Sequence, residues 1–488
     1  MRAEPSQMGQ GTEDRDLPVL VVDLDGTLLR SDMLHETFWD VIGREPRSLP
    51  AIAASLFKGR AALKAFLAER TRILPATLPY EPRVIARLEA WRAAGGRTAL
   101  VTASDARLAE RIAEHLGLFD EVHGTEGATN LKGAEKARFL AGRYGRAGHV
   151  YMGDSAADLP VWAGAAGAIS VNASGAVRAR LEAEAKGGEV EHLPRDPGRG
   201  AAIWRALRPH QWAKNALVFV PMIADLAFDL PTVLAALVAF VALSLAASAG
   251  YVLNDLLDLA DDRSHPRKRM RPFASGALPA SLGSFLFPAL LVAGLAVAMV
   301  QSGLLLGVVA LYFAATMAYS VRLKRHSIVD ICMLATLFTL RIVAGGVAIG
   351  VELSVWLLAV SMFLFFSLAA IKRLAELADV QAAGRAVSRR GYRVEDRSLL
   401  SQMAVASGYL AVLVLALYID EPVVQEKFGA PWMLWGVCPL LLFWISRMVL
   451  VAGRGEMHDD PLVWALETRT SRKVMGLIAV FVVLAVVL

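Results

Sequence analysis

The hydrophobic pattern of the chain changes once, near residue 205. Before that point, short apolar runs alternate with amphipathic stretches. Residues 18–28 read PVLVVDLDGTL, a β-rich run that ends in two carboxylates, Asp23 and Asp25. Residues 81–97 have helical spacing, and Thr98 to Thr102 form a second apolar run closing on a hydroxyl. A helix led by Lys132 or Lys136 follows, and a third run from His149 ends at Gly153, Asp154 and, four residues on, Asp158. Buried strands alternating with helices predict a doubly wound parallel α/β sheet, with polar residues at the strand ends where such sheets bind ligands.

After residue 205, long apolar runs are separated by basic loops. We find nine, at residues 215–229, 231–254, 282–300, 302–320, 328–350, 353–371, 399–418, 431–452 and 474–488. Several approach the ~20 residues that cross a bilayer, and the first and last are short. Residues 186–204, rich in Gly and Pro, read as a linker. The expected organisation is therefore a disordered N-terminus at 1–16, an α/β domain at 17–185, a linker at 186–204 and an all-α polytopic membrane domain at 205–488.

Composition agrees with this division. The hydrophobic fraction is 55% and the mean hydropathy +0.45, high for a soluble protein. The two cysteines, Cys332 and Cys438, both fall in apolar runs, which suggests neither a disulfide framework nor a zinc site. No apolar leader opens the sequence, so the first domain is expected to stay in the cytoplasm. The net charge of +5 is modest, and its cations gather in the loops near 205–214, 263–273, 322–326, 372–396 and 447–473. We read them as membrane-orienting and phosphate-binding, not as a nucleic-acid surface. The positive-inside rule then puts these loops and the N-terminus in the cytoplasm and the C-terminus outside, in a bacterial-type inner membrane.

The densest chemistry lies between Gly250 and Pro272. An apolar run ends there in carboxylates, and cations follow. Asn254, Asp258 and Asp262 are spaced i, i+4, i+8, so on a helix they share one face. Oxygen ligands at a membrane edge suit Mg²⁺, with positions left for phosphate oxygens. Arg267, Lys268, Arg269 and Arg271 come next, and Lys214, Tyr319, Lys324, Lys372, Arg373 and Glu376 stand near other helix ends. Arg322 and Arg325 can equally be interfacial charges that snorkel. Asp330 and Arg341 lie inside an apolar run and require a partner or a polar cavity.

DxDGT, Thr102, the lysine near 132–136 and GDSxxD, in that order, resemble the haloacid dehalogenase superfamily over roughly residues 17–185. The resemblance implies a phosphohydrolase with a small helical cap at 31–80. Asp23 would be the nucleophile and Asp25 the general acid/base, while Thr102 and the lysine would hold phosphate. Mg²⁺ would sit on Asp23, Asp154 and the Asp25 carbonyl. Lys136, with Leu140 four residues on, is preferred to Lys132. Asp158 is either a supporting residue or a helix N-terminal carboxylate.

NDxxDxxxD after a second apolar helix, with YSxxLK later, resembles the UbiA superfamily of intramembrane transferases. RPHQWAKN, NDLLDLADDRSHPRKRMRPFASG, YSVRLK, LRIVAGG and KRLAEL narrow this to its decaprenyl-phosphate phosphoribosyltransferase branch, over most of residues 205–380. The branch implies phosphoribosyl pyrophosphate (PRPP) as donor, polyprenyl phosphate as acceptor and Mg²⁺ as cofactor. The second aspartate motif of aromatic prenyltransferases is absent, and Lys372, Arg373 and Glu376 occupy that helix end. The alternative is a prenyltransferase that moves an isoprenoid from its diphosphate to an aromatic or lipid acceptor, with the first domain separate or non-catalytic. An oligomer is compatible with either reading.

Overall fold

Six parallel strands carry the N-terminal half. The computed structural model describes residues 17–126, 131–184, 189–194, 198–382, 384, 391–457 and 461–488. The expected disordered stretch at 1–16 lies outside them. The chain folds into two compact units, Met1–Leu207 with Val252–Leu286, and Arg208–Tyr251 with Phe287–Leu488.

In the first unit the strands are β1 (Val19–Val22), β2 (Thr98–Asp105), β3 (Glu121–Thr125), β4 (His149–Gly153), β5 (Gly167–Val171) and β6 (Glu189–Leu193). Their order is β3-β2-β1-β4-β5-β6. Chain direction across the sheet therefore reverses between β1 and β4, the place where open α/β sheets hold ligands. Val22 pairs with Leu100 on one side and Met152 on the other, so β1 is buried on both flanks. That burial is why its four residues, Val-Leu-Val-Val, show no polar alternation. Helices Met33–Arg44, Leu49–Phe57 and Arg60–Arg70 form the expected cap. Asp32 starts the first of them by accepting the Leu34 and His35 N–H groups.

The stretch expected as a linker is partly structured. Glu189–Leu193 pairs with β5 as the sheet's edge strand, and Arg199–Leu207 is a helix. Its strand-forming Val190 and Leu193 were masked by the flanking Gly and Pro residues.

Among the described residues eight helices are long and apolar enough to cross a membrane: Leu230–Leu257, Ala280–Gln301, Gly303–Val321, Val329–Ile349, Val355–Ala382, Val394–Ile419, Pro431–Gly453 and Arg469–Val487. The first of the nine expected segments is not among them. It is broken into a 3₁₀ stretch, Pro209–Phe219, and a short helix, Val220–Asp225, closed by Leu226 in the left-handed region at φ 55°. In the second unit, one core surrounds Val355–Ala382 with Ile371, Leu374, Ile445 and Met448. Another uses Ala236, Ala239, Ala242 and Ala246, small residues that let membrane helices approach closely.

Candidate active sites

Asp23 and Asp25 leave β1 at its C-terminal end, and Asp154 leaves the neighbouring β4. Lys136 Nζ stands 2.9 Å from Asp23 Oδ1 and 2.9 Å from the Tyr151 hydroxyl. Tyr151 in turn donates to Asp158 Oδ1 at 2.9 Å. The other oxygen of Asp158 accepts the N–H groups of Asp154 and Ser155. Asp158 is therefore both a cap and a support, since it shapes the loop that carries Asp154. Lys132 lines the same cavity, while Lys136 is the lysine that reaches Asp23.

Asp25 Oδ1 accepts the Met33 N–H at 2.7 Å, and Oδ2 accepts the Ser104 hydroxyl at 2.7 Å. Burial and the nearby Asp32 charge push Asp25 up to about 7. Burial and the charges of Asp158, Asp23 and Asp25 push Asp154 up to about 8. Burial also raises Asp23, against the lowering effect of Lys136. Asp23, Asp154 and Asp158 each place a carboxylate oxygen within 4.8 Å of the others. Crowded, desolvated carboxylates of this kind fit a hard divalent cation.

Gly26 makes the approach possible. Its φ is +77°, and a Cβ there would stand 2.2 Å from Asp154 Oδ2. Thr102 closes the apolar part of β2; it is fully buried, and its hydroxyl accepts the Ser104 N–H at 3.0 Å.

The second carboxylate group lies on residues 254–271. The helix Leu230–Leu257 ends one residue before Asp258, which precedes a short helix, Leu259–Ser264. Asn254 and Asp258 are half-buried, and Asp255 and Asp262 are buried. Arg271 Nη1 donates to Asp255 at 3.1 Å and to Asp262 Oδ2 at 2.6 Å. Among the described residues Asp262 Oδ1 accepts no hydrogen bond, and Lys268 Nζ is 3.9 Å from it. Burial raises the Asp262 pKa, against the lowering effect of Arg271. A buried carboxylate oxygen left open beside a second carboxylate fits a divalent cation. The sequence reading missed Asp255. Arg267 and Arg269 are exposed on the loop that follows.

In the second unit the two deep charges have found partners. Arg373 donates to Asp330, to Glu376 at 2.6 Å and to Tyr319 at 3.0 Å, and Tyr392 donates to Asp330 at 2.5 Å. Arg341 donates to Asn215 at 2.9 Å, to the Tyr312 hydroxyl at 2.8 Å and to the Leu337 carbonyl. Arg341 and Arg373, both expected among the donor-binding residues, are 6% and 1% exposed and are engaged in these internal networks. Lys214, Lys324 and Lys372 are half-buried. Lys372 was expected at a helix end, but its helix runs on to Ala382, so it lies in the interior of Val355–Ala382.

The UbiA prenyltransferase family matches residues 216–464. The chain belongs to this family. In addition, the haloacid dehalogenase-like hydrolase family matches residues 20–162, so this UbiA chain is a fusion. An uncharacterized protein of Sinorhizobium fredii, y4nM, is 38% identical over 477 residues, 97% of this chain and 92% of that one. The nodulation protein NoeC of Azorhizobium caulinodans is 37% identical over 54% of this chain and 87% of its own length. The decaprenyl-phosphate phosphoribosyltransferase of Mycobacterium tuberculosis is 34% identical over 54% of this chain and 88% of its own length. The fusion is thus a multi-pass membrane protein with a UbiA-type transferase half and a hydrolase-like half.

Proposed function

We propose that the protein transfers 5-phosphoribosyl from PRPP to a polyprenyl phosphate, releases diphosphate, and then removes the 5-phosphate at its N-terminal site to give polyprenyl-phosphoryl ribose. The observation that carries the transfer step is the 34% identity to a decaprenyl-phosphate phosphoribosyltransferase over 88% of that enzyme. The missing second aspartate motif supports an anionic partner over an aromatic one.

In the transfer step an ionised phosphate oxygen of the lipid attacks the anomeric carbon, and the bond from that carbon to diphosphate breaks. No base is required. Arg267, Lys268, Arg269 and Arg271 offset the charge of the donor, and Lys214, Lys324 and Lys372 are further candidates. Asn254, Asp255, Asp258 and Asp262 would hold Mg²⁺, which when bound stabilises the leaving diphosphate.

In the second step Asp23 attacks phosphorus, and the bond to the sugar oxygen breaks. Asp25 carries a proton near neutral pH and gives it to that oxygen. Asp25 then takes a proton from the water that hydrolyses the aspartyl-phosphate, and Asp23 is restored. Lys136 offsets negative charge beside Asp23. Mg²⁺ on Asp23 and Asp154 would neutralise the phosphoryl oxygens. Cation-rich loops support placing both sites on the cytoplasmic face of a bacterial inner membrane. In that arrangement the broken segment at residues 209–225 crosses the bilayer before the span Leu230–Leu257.

The test uses purified full-length protein with Mg²⁺, polyprenyl phosphate and either labelled PRPP or labelled prenyl diphosphate, with mass spectrometry of the lipid. Label from PRPP in a ribosyl lipid lacking the 5-phosphate is expected. Label entering only from prenyl diphosphate overturns the reading.

A further inference from the structure

We infer that the N-terminal cavity carries a second anion site at its mouth, built from Arg60, Arg199 and Arg205, and that its substrate is a lipid-linked sugar bearing two phosphates, one cut and one kept. This rests on the phosphatase reading above and names the substrate class of that site.

The cavity is about 810 Å³, and its lining includes Arg60, Arg199 and Arg205 as well as Asp23, Asp25 and Asp154. A single phosphate needs far less space, and ~300–1,000 Å³ is typical of pockets for much larger ligands. Of the other cations in the lining, Lys132 is exposed and three are already matched. Lys136 meets Asp23 at 2.9 Å, Lys64 donates to the Ala103 carbonyl at 2.6 Å, and Arg30 meets Glu81 at 3.0 Å. Arg60, Arg199 and Arg205 are exposed, and among the described residues none of the three pairs with a carboxylate. Arg199 and Arg205 stand on one helix, Arg199–Leu207, which buries Ala202 and Ala206. Arg60 begins the cap helix Arg60–Arg70. A monoester bound at Asp23 leaves these three charges unused, whereas a phosphodiester on the far side of the sugar gives them a partner.

The apolar part of the lining says what that phosphodiester is attached to. Leu56 and Phe285 line it and are 55% and 72% exposed. Pro279, Ser281 and Phe285 also line it, and the last two lie at the head of the candidate span Ala280–Gln301. The head of a spanning helix is at the bilayer interface, where a lipid phosphate resides. A free sugar phosphate needs neither the apolar wall nor that location.

The experiment measures phosphate release by the full-length protein in neutral detergent from two probes, ribose 5-phosphate and a short-chain alkyl phosphodiester at C1 of ribose 5-phosphate. Wild type is expected to favour the diester probe by about tenfold or more in kcat/KM, mainly through KM. The combined variant Arg60→Gln, Arg199→Gln, Arg205→Gln should bring that ratio towards one, and Lys at the same positions should restore most of it. Equal use of both probes by wild type, or an equal loss on both in the variant, overturns the inference. Neutral detergent removes anionic lipid, so a variant that loses only binding to anionic vesicles while keeping the ratio assigns the cations to headgroups and also overturns it. Should wild type cut neither probe, the phosphatase reading fails by itself. The subsite is then read from equilibrium binding of the ribose 1-alkylphosphate. Loss of binding in the Gln variant sustains it, and binding that is absent or equal in both proteins overturns it.

Discussion

Glu36 and Arg263 lie 227 positions apart in the sequence and form a buried, two-pronged ion pair, with Arg263 donating to the two carboxylate oxygens at 2.9 and 2.8 Å. Their side chains are 2% and 5% exposed. Arg263 also donates to the Ala274 carbonyl at 3.1 Å, and Trp39 donates to the Ser284 hydroxyl at 2.8 Å. The helix Met33–Arg44, whose first N–H groups touch Asp25 and Asp32, is thereby fastened to residues 263–284. Removing one member strands the other as a buried charge, at a cost of about 3–5 kcal/mol. Arg263→Ala and Glu36→Ala should each lower the thermal midpoint in detergent, and Glu36→Leu with Arg263→Met should lower it less than either. A midpoint unmoved by the single changes would show that the pair contributes little.

Asp23→Asn keeps the shape of the nucleophile and removes its charge. It should cut phosphate release from a supplied phosphoribosyl lipid by at least about 10³-fold, as expected when one member of a catalytic set is lost. Transfer should persist, so the lipid product retains its 5-phosphate by mass spectrometry. Release at wild-type rates would remove Asp23 from the chemistry.

Gly26 has a similar prediction with a steric origin. Any side chain there adopts φ +77° and meets Asp154. Gly26→Ala should cost about 1–3 kcal/mol and move Asp154 away from Asp23. Loss of phosphate release without loss of transfer checks it.

Acid stability should report on Glu81. It is buried, accepts from Arg83 at 2.7 Å, Arg30 at 3.0 Å and Asn172 at 3.1 Å, and these partners hold its pKa down at about 2, from an ordinary 4.5. The folded value lies below the unfolded one, so its contribution is complete above pH 4.5 and disappears as pH falls towards 2. The difference in thermal midpoint between wild type and Glu81→Gln should be largest near pH 6 and shrink by pH 3. A constant difference would refute the linkage.

The sequence disclosed some of this and concealed the rest for physical reasons. The sheet was legible because β1, β2 and β4 are buried on both faces and therefore read as unbroken apolar runs ending in Asp23, Thr102 and Asp154. The spans were legible by length, except where Pro221 and the left-handed Leu226 break the first apolar run. β6 was hidden because it lies at the sheet edge, where its residues are at most half-buried and form no unbroken apolar run. Tyr151, Ser104 and Asp32 were hidden because their roles depend on contacts made across the fold. Asp255 could have been found. It is seven positions before Asp262, nearly two helical turns, so on an unbroken helix the spacing alone would put the two carboxylates on one face more closely than Asp258 and Asp262.

That face leads to the last prediction. Arg271 bridges Asp255 and Asp262, and Asp262 Oδ1 is buried without a hydrogen bond among the described residues. If both carboxylates serve the donor's metal, Asp255→Asn and Asp262→Asn should each lower transfer from PRPP by about 10–100-fold and raise the Mg²⁺ concentration for half-maximal rate. Phosphate release from a supplied phosphoribosyl lipid should continue in both, since neither residue belongs to the Asp23 cluster. Arg271→Ala separates support from ligation. It strands two buried carboxylates, so it should weaken folding in the absence of Mg²⁺ and regain part of the loss when Mg²⁺ is added, as a cation takes the place of the guanidinium. A thermal midpoint for Arg271→Ala that ignores Mg²⁺, together with full transfer by Asp255→Asn, would return the metal to Asn254, Asp258 and Asp262 alone.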